Sequence, residues 1–155
     1  MLKSRKKGII MVKINIKNTS PFDIPSYSSP QSAGCDLRAD IKEEYTIRSF
    51  ETALIPTGIY IALPDGYEAQ IRSRSGMTLK HGIVVANGVG TIDSDYRGEI
   101  KVILYNQSKK DYTITPGERI AQMVIAKYEK AEFVLTESLD ETERGEGGFG
   151  HSGKN

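Results

Sequence analysis

Residues 87–99 read Asn-Gly-Val-Gly-Thr-Ile-Asp-Ser-Asp-Tyr-Arg-Gly-Glu, and the residue types in this run could do chemistry. Asp93 offers a carboxylate three residues before the aromatic ring of Tyr96, and both follow a bend rich in glycine. Gly88 and Gly90 have no Cβ and tolerate positive φ, so the pattern predicts a tight hairpin whose N–H and C=O groups a flat polar ring can approach closely. A carboxylate with a reference pKa of about 3.9 is ionised at neutral pH and can take a proton from a water that it holds against an electrophile. The same letters also suit an ordinary turn, because Asn-Gly is a common β-turn pair, Asp a common turn residue and an aromatic ring a common strand residue.

Three further groups have the charge or hydrogen-bonding capacity that phosphate oxygens require. Arg74, Ser75 and Gly76 set a cation, a hydroxyl and an open backbone N–H at a predicted helix start. A serine cap beside a surface arginine would give the same letters. Gln122 interrupts an apolar run, so it either faces solvent or offers its amide to an anion. Near the C-terminus, Arg144 precedes Phe149 by five residues in a stretch of glycines and charges. Composition alone predicts a disordered end there, yet a ring, a guanidinium and glycine joints are what an arm folding over a ligand would use.

The elements that must position these groups are short strands. Val12, Ile14 and Ile16 alternate with polar residues, as do Tyr67, Ala69 and Ile71, and again Ile100, Val102 and Leu104. Further β-rich pieces lie at 53–55, 59–63, 83–85, 112–114 and 120–126, separated by Thr57-Gly58, Pro64-Asp65-Gly66 and Pro116-Gly117. Only residues 75–80 could form a helical turn. The pattern predicts an all-β chain, an antiparallel sandwich or barrel of jelly-roll type. Its 155 residues fit one domain, with residues 1–10 as a basic arm, 11–135 as the β domain and 136–155 as a flexible glycine-rich arm.

A formal charge of +1 gives no global field for nucleic acid or an acidic membrane. Cys35 is alone, which excludes an intrachain disulfide, and with only His81 and His151 beside it no zinc-binding spacing exists. A reducing cytoplasm suits such a chain. Lys13 and Asn15 break the apolar run that follows the basic start, and no stretch approaches the roughly 18 apolar residues of a membrane span.

Five patches then occur in one order: Ala33-Gly34-Cys35-Asp36-Leu37-Arg38-Ala39; Arg74-Ser75-Gly76-Met77; the run 87–99; Gly117-Glu118-Arg119-Ile120-Ala121-Gln122; and Arg144-Gly145-Glu146-Gly147-Gly148-Phe149-Gly150. With this set, from about Lys13 to Gly153, the chain resembles the homotrimeric deoxyuridine triphosphate pyrophosphatases (dUTPases). The resemblance implies hydrolysis of dUTP to dUMP and pyrophosphate, which limits uracil incorporation into DNA and supplies dUMP for thymidylate synthesis. It makes Asp93 the residue that activates water for attack on the α-phosphorus. It places substrate contacts at Arg74, Ser75, Gly76, Asn87, Gly90, Thr91, Ile92, Asp93, Tyr96, Lys101, Gln122, Arg144, Phe149 and Gly150.

In that reading Asn87 and the backbone from Gly88 through Ile92 form a uracil pocket too close for a 5-methyl group, and Tyr96 packs beneath the deoxyribose with no room for a 2′-hydroxyl. Mg2+ arrives with the substrate, held mainly by phosphate oxygens, with Asp36 reaching it through water. Arg119 has a structural alternative. Three sites would lie at the boundaries of a homotrimer, and Phe149 would stack over uracil. One departure is His151, where the family often has serine. A dCTP deaminase, or a bifunctional relative, shares the scaffold and is the enzymatic rival. A nucleotide-sensing binding protein is the rival of another class.

Overall fold

The computed structural model describes residues 11–148. The basic arm at 1–10, together with Phe149, Gly150 and His151, lies outside the described residues. Eleven elements follow one another: β1 (Asn15–Asn18), β2 (Gly34–Arg38), β3 (Tyr45–Ile47), β4 (Thr52–Ala62), β5 (Tyr67–Arg72), α1 (Ser75–His81), β6 (Ile83–Val85), β7 (Gly90–Ile92), β8 (Ile100–Asn106), β9 (Tyr112–Ile114) and β10 (Arg119–Lys127). They make a four-stranded sheet in the order β1-β4-β8-β6, a second in the order β2-β10-β5-β7, and a two-stranded pair of β3 with β9. Every strand pairing is antiparallel.

Alternation decides which faces meet. In β8 the residues Ile100, Val102 and Leu104 are buried while Lys101 and Ile103 are exposed, and in β5 Ala69 and Ile71 point inward. Opposite them in the same core cluster stand Leu37, Ile47, Ile55, Ile83, Ile114 and Ile120, so both large sheets and the small pair share one interior. Burying each such side chain stabilises the fold by about 1.5–3 kcal/mol, which is what holds two thin sheets together without a disulfide. This is the predicted all-β, jelly-roll-like sandwich with very little helix.

Two local expectations are corrected. Residues 53–55 and 59–63 are not separate strands divided by Thr57-Gly58; they belong to β4, which carries Thr57 and Gly58 as a bulge. The β8 register passes from Pro56↔Lys101 to Ile59↔Ile100 across it. The Thr57 hydroxyl sews the bulge shut, donating to the Ile100 carbonyl at 2.6 Å and accepting from the Ile59 N–H at 3.3 Å. Nor do residues 87–99 begin a hairpin between neighbours in one sheet. β6 lies at the edge of the first sheet and β7 at the edge of the second, so the glycine bend carries the chain across the sandwich. Its turn closes through the Gly88 N–H on the Val85 carbonyl at 3.1 Å, with Gly88 at φ +76°.

Candidate active site

The second sheet lines up the phosphate-type residues by register. Gln122 of β10 sits between Asp36 of β2 and Arg72 of β5, and directly paired residues share a face. The neighbouring row on the opposite face is Cys35, Met123, Ile71 and Gly90, three of them core side chains. Asp36 and Gln122 therefore stand on the outer side of the strand whose inner side is the core.

Asp36 is the hub of a charged cluster. Its Oδ1 accepts from Arg74 Nε at 2.9 Å and its Oδ2 from an Arg119 guanidinium nitrogen at 3.2 Å. Arg74 also donates to the Arg119 carbonyl at 2.9 Å, which fixes its guanidinium over the end of β10. Arg119 thus has the structural partner that the sequence left open. The Gln122 amide donates one hydrogen to the Ser73 carbonyl at 2.9 Å, a partner the sequence did not suggest, and keeps a second hydrogen to offer. Its oxygen lies where a Cβ on Gly34 would come within 2.7 Å, so only glycine leaves room for it.

Arg74, not Ser75, is the N-cap of α1, and it caps through no side-chain hydrogen bond. Ser75 and Gly76 are consequently exposed in the first turn, and the space beside the Gly76 Cα is open. Seven residues are too few for a helix to persist by itself. Burial of Met77 and the left-handed Gly82, whose N–H closes on the Thr78 carbonyl at 3.0 Å, hold it in place.

The other cluster grows from β7. As the last strand of its sheet it pairs with β5 only, so the main-chain groups on its far side have no strand partner. Gly90 is buried against Ile71: a Cβ there would lie 3.1 Å from the Ile71 Cβ and 3.3 Å from the Asn87 amide nitrogen. The chain then turns through residues 93–96, closed by the Tyr96 N–H on the Asp93 carbonyl at 3.2 Å. The Asp93 carboxylate takes no part in the turn; it is exposed and makes no hydrogen bond or ion pair to a described residue. The Tyr96 hydroxyl donates to the Glu99 carbonyl at 3.0 Å, and Lys101 stands 3.6 Å from the Glu99 carboxylate.

Among the described residues no hydrogen bond or ion pair joins the Asp36 cluster to the Asp93 turn, and exposed Arg144 reaches only its own neighbour, the Gly147 carbonyl, at 2.7 Å. A concave pocket of about 470 Å³ lies at the C-terminal end of α1, bounded by Thr78, His81, Gly82, Ser108 and Tyr112, and contains none of the motif residues.

The dUTPase family profile matches residues 20–153. The chain belongs to the dUTPase family. The deoxyuridine 5'-triphosphate nucleotidohydrolase of Finegoldia magna is 55% identical over 142 residues, spanning 92% of this chain and 99% of that protein. Among solved dUTPases, that of Staphylococcus bacteriophage 80alpha with dUPNHPP superposes with a TM-score of 0.83 at 27% identity, over 92% of this chain and 99% of that one. A mutant dUTPase from phage phi11 of S. aureus, which coordinates a structural Mg(II) ion, shares the fold with a TM-score of 0.73 at 22% identity, over 82% and 98%.

For the magnesium that this dUTPase family implies, the donor chemistry fits a loosely held ion. Each Asp36 oxygen accepts from one guanidinium, and a carboxylate has about four lone-pair sites, so acceptor capacity remains for a metal-bound water. Among the described residues no group of three or more His, Cys, Asp or Glu could hold a metal unaided. No helix among them is long and apolar enough to cross a membrane.

Proposed function

We propose that this chain hydrolyses dUTP to dUMP and pyrophosphate, with Asp93 activating the water that attacks the α-phosphorus. The observation that carries the reading is the exposed carboxylate of Asp93, without a partner among the described residues, at the end of an edge strand whose outer backbone groups have no strand partner among them. Those groups in Gly90, Thr91 and Ile92, with the Asn87 amide, imitate a pairing base and read uracil; close approach leaves no space for a 5-methyl group. Tyr96 lies beneath the deoxyribose, and Asp93 projects on the phosphate side of it. Arg74, Ser75, Gly76, Lys101 and Gln122 bind the triphosphate, with Arg74 kept in aim by Asp36. A bound Mg2+, reached by Asp36 through water, fixes the triphosphate's shape and offsets charge on the leaving pyrophosphate.

Asp93 has only to orient the water and receive its proton; the reacting geometry comes from fixing base, sugar and phosphates at once. The arm at 136–155 closes the site, Arg144 on the phosphates, Phe149 over the uracil and Gly150 beside it, which excludes other water. A homotrimer supplies the missing walls. Two features support it: the Asp36 cluster and the Asp93 turn are not joined within one chain, and beyond β10 the residues Phe133, Val134 and Leu135 are 95%, 78% and 99% exposed, a run of apolar surface that an adjacent subunit would cover. The reading puts the reaction in the cytoplasm, and the unpaired thiol of Cys35 supports it.

Pyrophosphate release from dUTP, dTTP, dCTP and UTP, with Mg2+ present or chelated, tests base, sugar and metal together. Rapid release from dUTP alone, falling on chelation, is expected. Equal turnover of UTP or dTTP would overturn the site assignment, and ammonia release from dCTP would favour a deaminase.

A further inference from the structure

The reading of Tyr96 as the platform beneath the sugar leaves open what fixes the height of its ring. Tyr96 is 44% exposed, so core packing does not hold it. Instead the ring lies across Gly98. A Cβ added there would fall on the Tyr96 hydroxyl and Cζ, and within 2.9 Å of Cε2, so the ring fills the place where any other residue has a side chain. The ring is also tethered at its tip, since the hydroxyl donates to the Glu99 carbonyl.

Glu99 is in turn anchored to β4, the neighbouring strand of the first sheet. Its Oε1 accepts from the Gly58 N–H at 2.9 Å, within the β4 bulge. The Gly58 carbonyl accepts from the Thr19 N–H at 2.9 Å and the Thr19 hydroxyl at 3.2 Å, so the residue is gripped through both its N–H and its C=O. Gly58 has φ +68°, and a Cβ on it would meet the Ser20 nitrogen at 2.7 Å and Asp40 Oδ2 at 2.8 Å, so the bulge cannot relax around a larger residue. The residue after Glu99, the fully buried Ile100, is clamped by the Thr57 hydroxyl of the same bulge.

We propose that Gly98 and Glu99 are positioning residues that hold the Tyr96 ring at one height and thereby set the rejection of a ribose 2′-hydroxyl. Excluding one added oxygen from an exposed face requires a platform that does not recede, and a displacement of about 1 Å is enough to change such a site's kinetics severely. The bulge supplies the stop: Gly58 fixes Glu99, Glu99 fixes the tether, and Gly98 makes room for the ring. The Glu99 carboxylate acts at a distance from substrate and takes no part in the bond-breaking step.

The measurement is the ratio of kcat/KM for dUTP to that for UTP, in the full chain with Mg2+. Gly98→Ala and Glu99→Ala are each expected to lower the ratio about tenfold, the equivalent of roughly one well-made hydrogen bond. Most of the change should appear as improved use of UTP. Glu99→Gln, which keeps an acceptor for the Gly58 N–H, is expected to restore the ratio, a rescue that general loss of fold would not give. Tyr96→Ala run in parallel separates two failures. If it abolishes discrimination while folded Gly98→Ala and Glu99→Ala retain it, the positioning proposal is overturned alone. If Tyr96→Ala also retains discrimination, the platform reading itself is wrong. Should Gly98→Ala not fold, Tyr96→Phe, which deletes only the tether, decides: an unchanged ratio overturns the proposal.

Discussion

Asp36 and Asp93 carry the same functional group and are used in opposite ways, because their surroundings differ. Asp36 is flanked by Arg74 and Arg119 and spends one lone pair on each, which turns it into an aiming device for guanidinium groups. Asp93 opens a turn that closes through its carbonyl, so its carboxylate is left uncommitted. The difference predicts the behaviour of Asp93→Asn. The amide keeps the size and the turn but cannot accept a proton, so turnover is expected to fall by about 10²–10⁴-fold. Affinity for a non-hydrolysable dUTP analogue should stay within a few-fold. Steady-state kinetics and calorimetric titration measure the two; near-normal turnover would remove Asp93 from the chemistry.

At the scale of elements, the loops that carry the motif residues are gripped by glycines in left-handed conformations. Gly117, between β9 and β10, has φ +76°, and a Cβ there would stand 2.6 Å from the Phe22 ring. Its N–H donates to the Ala39 carbonyl at 2.9 Å and its carbonyl accepts from Arg38 at 2.8 Å, tying the start of β10 to the end of β2. Gly117→Ala is expected to cost about 1–3 kcal/mol, seen as a lower thermal midpoint, while KM for dUTP changes little. The strands themselves were legible in the alternation of Tyr67, Ala69 and Ile71 and of Ile100, Val102 and Leu104, whereas of Val12, Ile14 and Ile16 only the exposed Ile16 falls in a strand, β1. The crossing of the glycine bend from one sheet to the other was not, because Asn-Gly encodes a turn and says nothing about which distant strand the chain pairs with next. For the same reason the motif residues could be read individually, but not the Gln122 bond to Ser73, the Arg119 bond to Asp36 or the Glu99 bond to Gly58. Those partners are joined only by register and by a bulge, and no local pattern in the sequence marks them.

For the whole molecule, two expectations follow from what the body lacks and what it hides. Truncation after Thr142 removes Arg144, Phe149 and Gly150 but no strand of the described residues, since β10 ends at Lys127. The truncated chain should keep its far-ultraviolet dichroism and thermal midpoint and lose dUTP hydrolysis; undiminished catalysis would dismiss the closing arm. The second concerns alkali. Burial pushes the Cys35 thiol above its ordinary 9.0. Burial, followed by the hydrogen bond to Glu118, does the same to the Tyr112 phenol relative to 10.0. The folded state therefore holds protons that the unfolded chain releases, so this stability is fully present below the unfolded values and is lost as pH climbs above them and through the raised folded ones. Thermal midpoints measured from neutral to strongly alkaline pH should decline accordingly, and Cys35→Ala should remove the earlier part of the decline. A pH-independent midpoint would show that neither group is protected.

If β7 reads the nucleobase as proposed, the side-by-side placement of Gly90 and Ile71 ties nucleobase choice to thermal robustness. The strand reading the pyrimidine edge has core hydrocarbon directly behind it, so it cannot retreat to welcome a bulkier ring without opening a void or compressing an isoleucine. Variants selected for tolerance of thymine nucleotides would thus emerge as the heat-sensitive members of their library, and compensating changes would cluster on the far side of that wall, around the buried Met123 and Cys35.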